Sequence, residues 1–170
     1  MEVSELMGDF CDDFSLVIDK ANAIRKQVQF PLVKDIADFL GVNLIFSDKL
    51  IDLKGVYYAN MNIRLMVINE NLPLSLKNTI IAHELGHDQL HRMFSYGKTF
   101  TDCFDDNVFS DTVMKEIEAN VFAATLLIPD ESLLEYIKRN GKNVEKIVDI
   151  YKVKKELVLV KLRLLKDNYK

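Results

Sequence analysis

A chain of 170 residues, 49% hydrophobic and 28% charged, is long enough to bury an apolar core without a disulfide scaffold or structural metal, and it contains no low-complexity tract that would keep it disordered. Its formal net charge of −4 argues against a general nucleic-acid binder. Only Cys11 and Cys103 are present, far apart and in no CxxC pattern, which excludes a disulfide framework and a thiolate zinc cage.

The first residues, MEVSELMGDFCDDF, are acidic where a secretion signal begins basic and then turns apolar, and no stretch approaches the length of a membrane span. A cytoplasmic protein without membrane contact is expected. The charge is uneven: residues 138–170 carry 11 Lys/Arg against 4 Asp/Glu, net +7, and the remainder 11 against 22, net −11. A basic run along helices is most simply a solvated face, and direct nucleic-acid binding is not expected.

In chain order, Phe14, Val17, Ile18, Ala21 and Ile24 recur at helical spacing and predict an amphipathic helix from about 13 to 27. A second helix is predicted from Pro31 to Leu40, ended by Gly41, and VNLIF at 42–46 reads as a strand. Residues 55–59 (GVYYA) and 64–68 (RLMVI), separated by Asn60, Met61, Asn62 and Ile63, predict a hairpin, so that a sheet of about three strands forms with residues 42–46. A helix follows from Ser75, a candidate N-cap, to His91, with Leu76, Ile80, Ile81, Leu85 and Leu90 facing the core. Residues 92–110 show no clean period and read as a long loop. Asp111 caps a strong helix to about Ile128, stopped by Pro129, whose small residues in EANVFAATLL permit close packing. Short helices at 131–139 and 143–151 lead to a segment at 154–166 whose Leu/Lys/Arg content favours helix over strand. The division expected is a core at 1–130 and a C-terminal helical subdomain at 131–170, packed on or beside it.

HELGH at 83–87 matches HExxH. On a helix this spacing sets two imidazoles one turn apart on one face, able to hold one zinc, with Glu84 beside them to act as general base on water. A catalytic zinc needs a third protein ligand from elsewhere in the fold. His91 lies roughly 12 Å along the helix axis from His83 at ~1.5 Å per residue, too far to share one ion, and is expected to hydrogen-bond instead. The extended pattern HExxHxxGxxH fails, because Leu90 and Met93 stand where it needs glycine and histidine. A downstream carboxylate remains, Glu116 or Glu118. Glu118 is favoured because Ala119, Phe122 and Ala123 beside it look buried, whereas Glu116 follows Lys115 on a wetter side. The expected metal set is therefore His83, His87 and Glu118.

HELGHDQLH followed by EIEANVFAATLLIP resembles the ImmA/IrrE family of metallopeptidases, which pair an HExxH helix with a second helix of the pattern ExEAxxFAAxLLxP. The resemblance implies an α+β, zincin-like and mainly helical domain in which the HExxH helix packs on the glutamate-bearing helix. It also implies a third ligand at the second glutamate of ExEA, here Glu118, and Zn2+ as cofactor. The implied function is a zinc endopeptidase that cleaves a protein partner, a helix-turn-helix repressor of a mobile element or phage. Two departures stand out: Asn120 where many relatives carry aspartate, and Lys154 where a serine cap is usual.

The alternative to cleavage is a non-catalytic binding protein, an anti-repressor or stress regulator, that sequesters its partner. A further alternative is a sensor in which Cys103 caps the zinc. Tyr57, Tyr58, Tyr96 and His91 are all candidates for stabilising an oxyanion. The strand at 55–59 is the expected sheet edge for aligning an extended peptide.

Overall fold

The computed structural model describes residues 14–28, 32–60, 63–92, 99–101 and 110–168. Helix α1 (Ser15–Gln27) buries Val17, Ala21 and Ile24, the stripe that the 3.6-residue period requires. Helix α2 (Val33–Phe39) begins after Leu32, since Pro31 lies outside the described residues. It ends where Gly41 takes φ +70°, which lets the Gly41 and Val42 N–H groups reach back to the Asp38 and Ala37 carbonyls at 2.9 Å each.

Strands β1 (Asn43–Ser47), β2 (Gly55–Ala59) and β3 (Arg64–Asn69) form the expected small sheet, and a short fourth strand, β4 (Thr99–Thr101), extends it. The order is β1-β3-β2-β4, with β1 parallel to β3 and the other pairs antiparallel. Asn60 closes the hairpin: its N–H reaches the Ile63 carbonyl and its Oδ1 accepts from the Ile63 N–H, both at 2.9 Å. Tyr57, Ala59, Met66 and Ile68 point into the core, while Val56, Tyr58, Leu65 and Val67 are half-buried on the other face. β2 is therefore an interior strand; β1 and β4 are the edges. The expectation that residues 55–59 offer a free edge is corrected by β4, which pairs along Val56–Tyr58 from within the stretch read as loop.

Helix α3 (Leu74–His91) starts one residue earlier than expected, with Pro73 in the cap position and no side-chain cap, so Ser75 sits inside the first turn. Helix α4 (Ser110–Leu127) is the central element, packed against α1, α3 and the last helix. Helices α5 (Asp130–Asn140), α6 (Val144–Tyr151) and α7 (Lys155–Asn168) follow, and the ambiguous final segment is helical. Asn143 caps α6 by accepting from the Lys146 N–H at 2.9 Å. Ile147, Val153, Leu157, Val158, Leu164 and Leu165 join the same buried cluster as Ile36, Met66, Ile81 and Phe122. Among the described residues no helix is long and apolar enough to cross a membrane. The α+β class expected from the sequence, with an HExxH helix lying on a glutamate-bearing helix, is the fold observed.

Candidate metal centre

Helix α3 places His83 and His87 one turn apart, with Nε2 atoms 3.0 Å from each other. Across the helix interface, Glu116 of α4 brings one carboxylate oxygen within 3.1 Å of His83 Nε2 and the other within 3.2 Å of His87 Nε2. The two helices approach closely because position 86 is glycine. A Cβ there would meet Ala119 Cα at 3.0 Å and its carbonyl oxygen at 3.1 Å, inside normal contact. The Glu116 side chain is 49% exposed, so the cluster opens to solvent on the carboxylate side. Burial works to raise the Glu116 pKa; when His83 and His87 are protonated on Nε2 their hydrogen bonds and charge outweigh it and hold the carboxyl well below the usual range, a part that a cation plays when the rings are neutral.

Each imidazole is oriented through its other nitrogen. Asn120 Oδ1 lies 3.1 Å from His83 Nδ1 and can only accept, so the proton sits on Nδ1 and the Nε2 lone pair faces the cluster. His91 Nε2 lies 2.7 Å from Glu118 Oε2 and donates to it, which leaves His91 Nδ1 to accept from His87 Nδ1 at 3.1 Å. Burial lowers the His91 pKa against the opposing pull of Glu118, which favours the neutral ring that this relay needs. Glu118, His91 and His87 thus form a chain that fixes the tautomer of His87.

The outcome is an acceptor-only cluster: two imidazole lone pairs and a carboxylate, with ligand atoms all within 4.8 Å of one another. Such groups repel unless a cation sits among them, and two neutral imidazoles with one carboxylate are a donor set suited to a divalent metal with an open position.

The structure brings His83, His87 and Glu116 together; Glu118, the carboxylate expected from the sequence, lies on His91 instead. Burial was a sound clue to which glutamate is better covered, since the Glu118 side chain is 32% exposed against 49% for Glu116. Burial does not decide which carboxylate meets the imidazoles, because that depends on which face of α4 is turned to α3. Glu116 and Asn120, four residues apart on α4, share the face turned to His83. Glu84 is buried on α3 and lies roughly 60° around the helix from His87 at ~100° per residue.

Sequence reasoning missed Asp88. Its fully buried carboxylate accepts from the Tyr57 hydroxyl, from Arg64 Nη1 at 3.1 Å and from Gln89 Nε2 at 2.6 Å, tying α3 to β2 and β3. Burial first, then the bond to Asp88, pushes the Tyr57 phenol far above its ordinary range. Tyr57 is therefore held in the core and is unsuited to the oxyanion role. The signal was available: a charged residue one position after HELGH falls on the side of the helix facing the sheet, where it needs partners. Tyr96 and Cys103 lie outside the described residues, as does Cys11.

An HExxH helix crossed by a glutamate-bearing helix, beside a small mixed sheet, defines a zincin-like metallopeptidase class. Residues 37–163 match the IrrE N-terminal-like domain, a peptidase family, and the chain belongs to that family. It is 30% identical over 115 residues to "Uncharacterized immunity region protein 2" of Bacillus phage phi105, an alignment that covers 68% of this chain and 66% of that protein. Among solved structures it resembles a Mycobacterium tuberculosis transcriptional regulator with a TM-score of 0.61 and 16% identity, covering 86% of this chain and 46% of the other. The chain thus spans just under two thirds of the phage relative and less than half of the structural one. At that identity the structural likeness concerns the fold alone.

Proposed function

We propose that this chain is a zinc-dependent endopeptidase that cleaves a specific protein partner, a helix-turn-helix repressor of a mobile element or phage. The observation that carries the proposal is the convergence of His83, His87 and Glu116 into one cluster of ligand atoms, with Glu84 on the helix that carries both histidines. Membership of the IrrE N-terminal-like peptidase family and similarity to a phage immunity-region protein support the reaction class and the kind of partner.

His83, His87 and Glu116 would hold the metal, with Asn120 and the Glu118–His91 chain orienting the rings. Zn2+ bound there would acidify an attacking water and polarise the scissile carbonyl. Glu84 would serve as general base and then general acid beside such a site, a role worth about 10²–10⁴ in rate for a well-placed acid–base group. The exposed side of Glu116 is the side from which a peptide would enter. A strand of substrate would then add along β1 or β4 and not along β2.

The test combines wild type and Glu84→Gln, both loaded with zinc, with a candidate helix-turn-helix repressor. Cleavage by the wild type and none by the variant, at equal zinc content, is the expected result. Partner binding without cleavage by either protein would replace this reading with sequestration.

A further inference from the structure

A cavity of about 670 Å³ opens along the N-terminal half of α3. Its α3 wall is made by Leu74, Lys77, Asn78 and Ile81. At ~100° per residue these lie roughly 150° around the helix from His83 and His87, so the cavity and the metal cluster occupy different faces.

Four cations line it, Arg25, Lys34, Lys77 and Lys152, against one acid, Glu70, in a protein whose overall charge is −4. None of the four is in an ion pair among the described residues. Lys77 donates to the Glu70 main-chain carbonyl at 3.1 Å and lies 5.8 Å from the centre of the Phe46 ring. The Nε hydrogen of Arg25 is buried with no acceptor among the described residues, a donor that ordinarily finds a partner. The rest of the lining is strongly apolar, and Leu32, Phe46, Leu74 and Ile150 are 61%, 43%, 57% and 52% exposed.

We propose that this cavity binds a small amphipathic anion, an apolar chain or ring carrying a carboxylate-type headgroup, with the headgroup on Arg25 and the lysines and the apolar body along Phe46, Leu74 and Ile150. Charge complementarity selects an anion, the apolar walls select its body, and the volume is that of small-ligand sites, about 300–1,000 Å³. A small molecule fits better than a peptide, since the lining converges on one volume from α1, α2, β1, α3, α4 and α6, and the edge strand β1 contributes to it only the Phe46 side chain. The occupant would bridge the core helices and the C-terminal end of α6 at Ile150–Lys152, so binding should also raise thermal stability.

The test is isothermal titration of the full chain with octanoate, with octan-1-ol as the uncharged counterpart and an acidic, apolar octapeptide as the competing class. The expected result is one octanoate per chain, at least tenfold weaker binding of the alcohol, and at least tenfold loss in Lys152→Glu and in Arg25→Gln. Lys152 is exposed, so its variant folds even if Arg25→Gln does not, and circular dichroism checks both. Glu116→Ala should bind octanoate normally while losing zinc, which separates this site from the peptidase reading. Equal binding of the alcohol, no effect of Lys152→Glu, or binding of the octapeptide without octanoate would each overturn the proposal.

Discussion

The two glutamates of EIEA differ by two positions and, on this geometry, by role. Glu116 touches both imidazoles, whereas Glu118 reaches the cluster only through His91. Glu116→Ala is therefore expected to lose zinc after chelator washing. Glu118→Ala and His91→Ala should retain it with affinity weakened about 10–100-fold, the usual effect of removing a group that orients a metal-binding histidine. Elemental analysis and competition with a chromophoric chelator measure both. Loss of zinc in Glu118→Ala with retention in Glu116→Ala would reverse the assignment. Asn120 is a milder case, because an amide accepts from His83 without the charge that aspartate would add; Asn120→Asp is expected to tighten zinc binding.

Lys161 carries a different residue-scale consequence. Its side chain is 2% exposed and paired with Asp130. Burial lowers its pKa from the ordinary 10.5, and Asp130 offsets this only in part. Between the lowered folded value and 10.5 the unfolded chain binds a proton that the folded chain does not, so this group's contribution to stability rises with pH across that window. Replacing both partners together, Lys161→Met with Asp130→Leu, should be neutral or stabilising by about 1–4 kcal/mol near neutrality, since a buried ion pair is often no better than apolar packing, whereas Lys161→Met alone would leave Asp130 unpaired. The advantage of the paired replacement over wild type should shrink as pH approaches 10.5. Urea denaturation of both proteins between pH 7 and 10.5 measures the gap, and a constant gap would contradict the assigned titration.

At the scale of elements, the close crossing of α3 and α4 is what assembles the site, and Gly86 is its narrowest point. Gly86→Ala gains about 1 kcal/mol of helix propensity but drives a methyl into the Ala119 backbone, an overpacking that commonly costs about 1–3 kcal/mol. Net destabilisation together with weaker zinc binding is expected, because the shift separates Glu116 from the histidines. A Tm at or above wild type with unchanged zinc affinity would show that the interface yields without consequence.

The helices were legible in the sequence because apolar residues at 17, 21 and 24, or at 80, 81 and 85, repeat with the helical period. The hairpin was legible from its asparagine turn. β4 was not: three residues carry no period, and their pairing with Val56, Tyr57 and Tyr58 is a contact more than forty positions away in the chain. The start of α3 was displaced for a local reason, since Pro73 takes the cap position ahead of Ser75. At the site, HExxH declared its ligand pair, but choosing between Glu116 and Glu118 needed the crossing angle of two helices, which no single-helix pattern contains.

For the whole molecule, one question is whether residues 131–170 form an appendage or part of the core. Ile147, Val153, Leu157, Val158, Leu164 and Leu165 are buried in one cluster with residues of α1, α3 and α4, and α7 packs directly on α4, the helix that carries Glu116. Burying an aliphatic side chain contributes about 1.5–3 kcal/mol. Removing these six would therefore forfeit as much as the whole net stability of a typical domain, about 5–15 kcal/mol, and would bare the apolar back of α4 to water. A chain ended at Pro129 is accordingly expected to lose cooperative unfolding and zinc binding together. The full chain should unfold in urea as one transition, with far-ultraviolet circular dichroism and tyrosine fluorescence coincident. Two separated transitions, or a truncated chain that folds and holds zinc, would mean that the metal centre stands on the first 129 residues and that the basic C-terminal helices are free to serve another purpose.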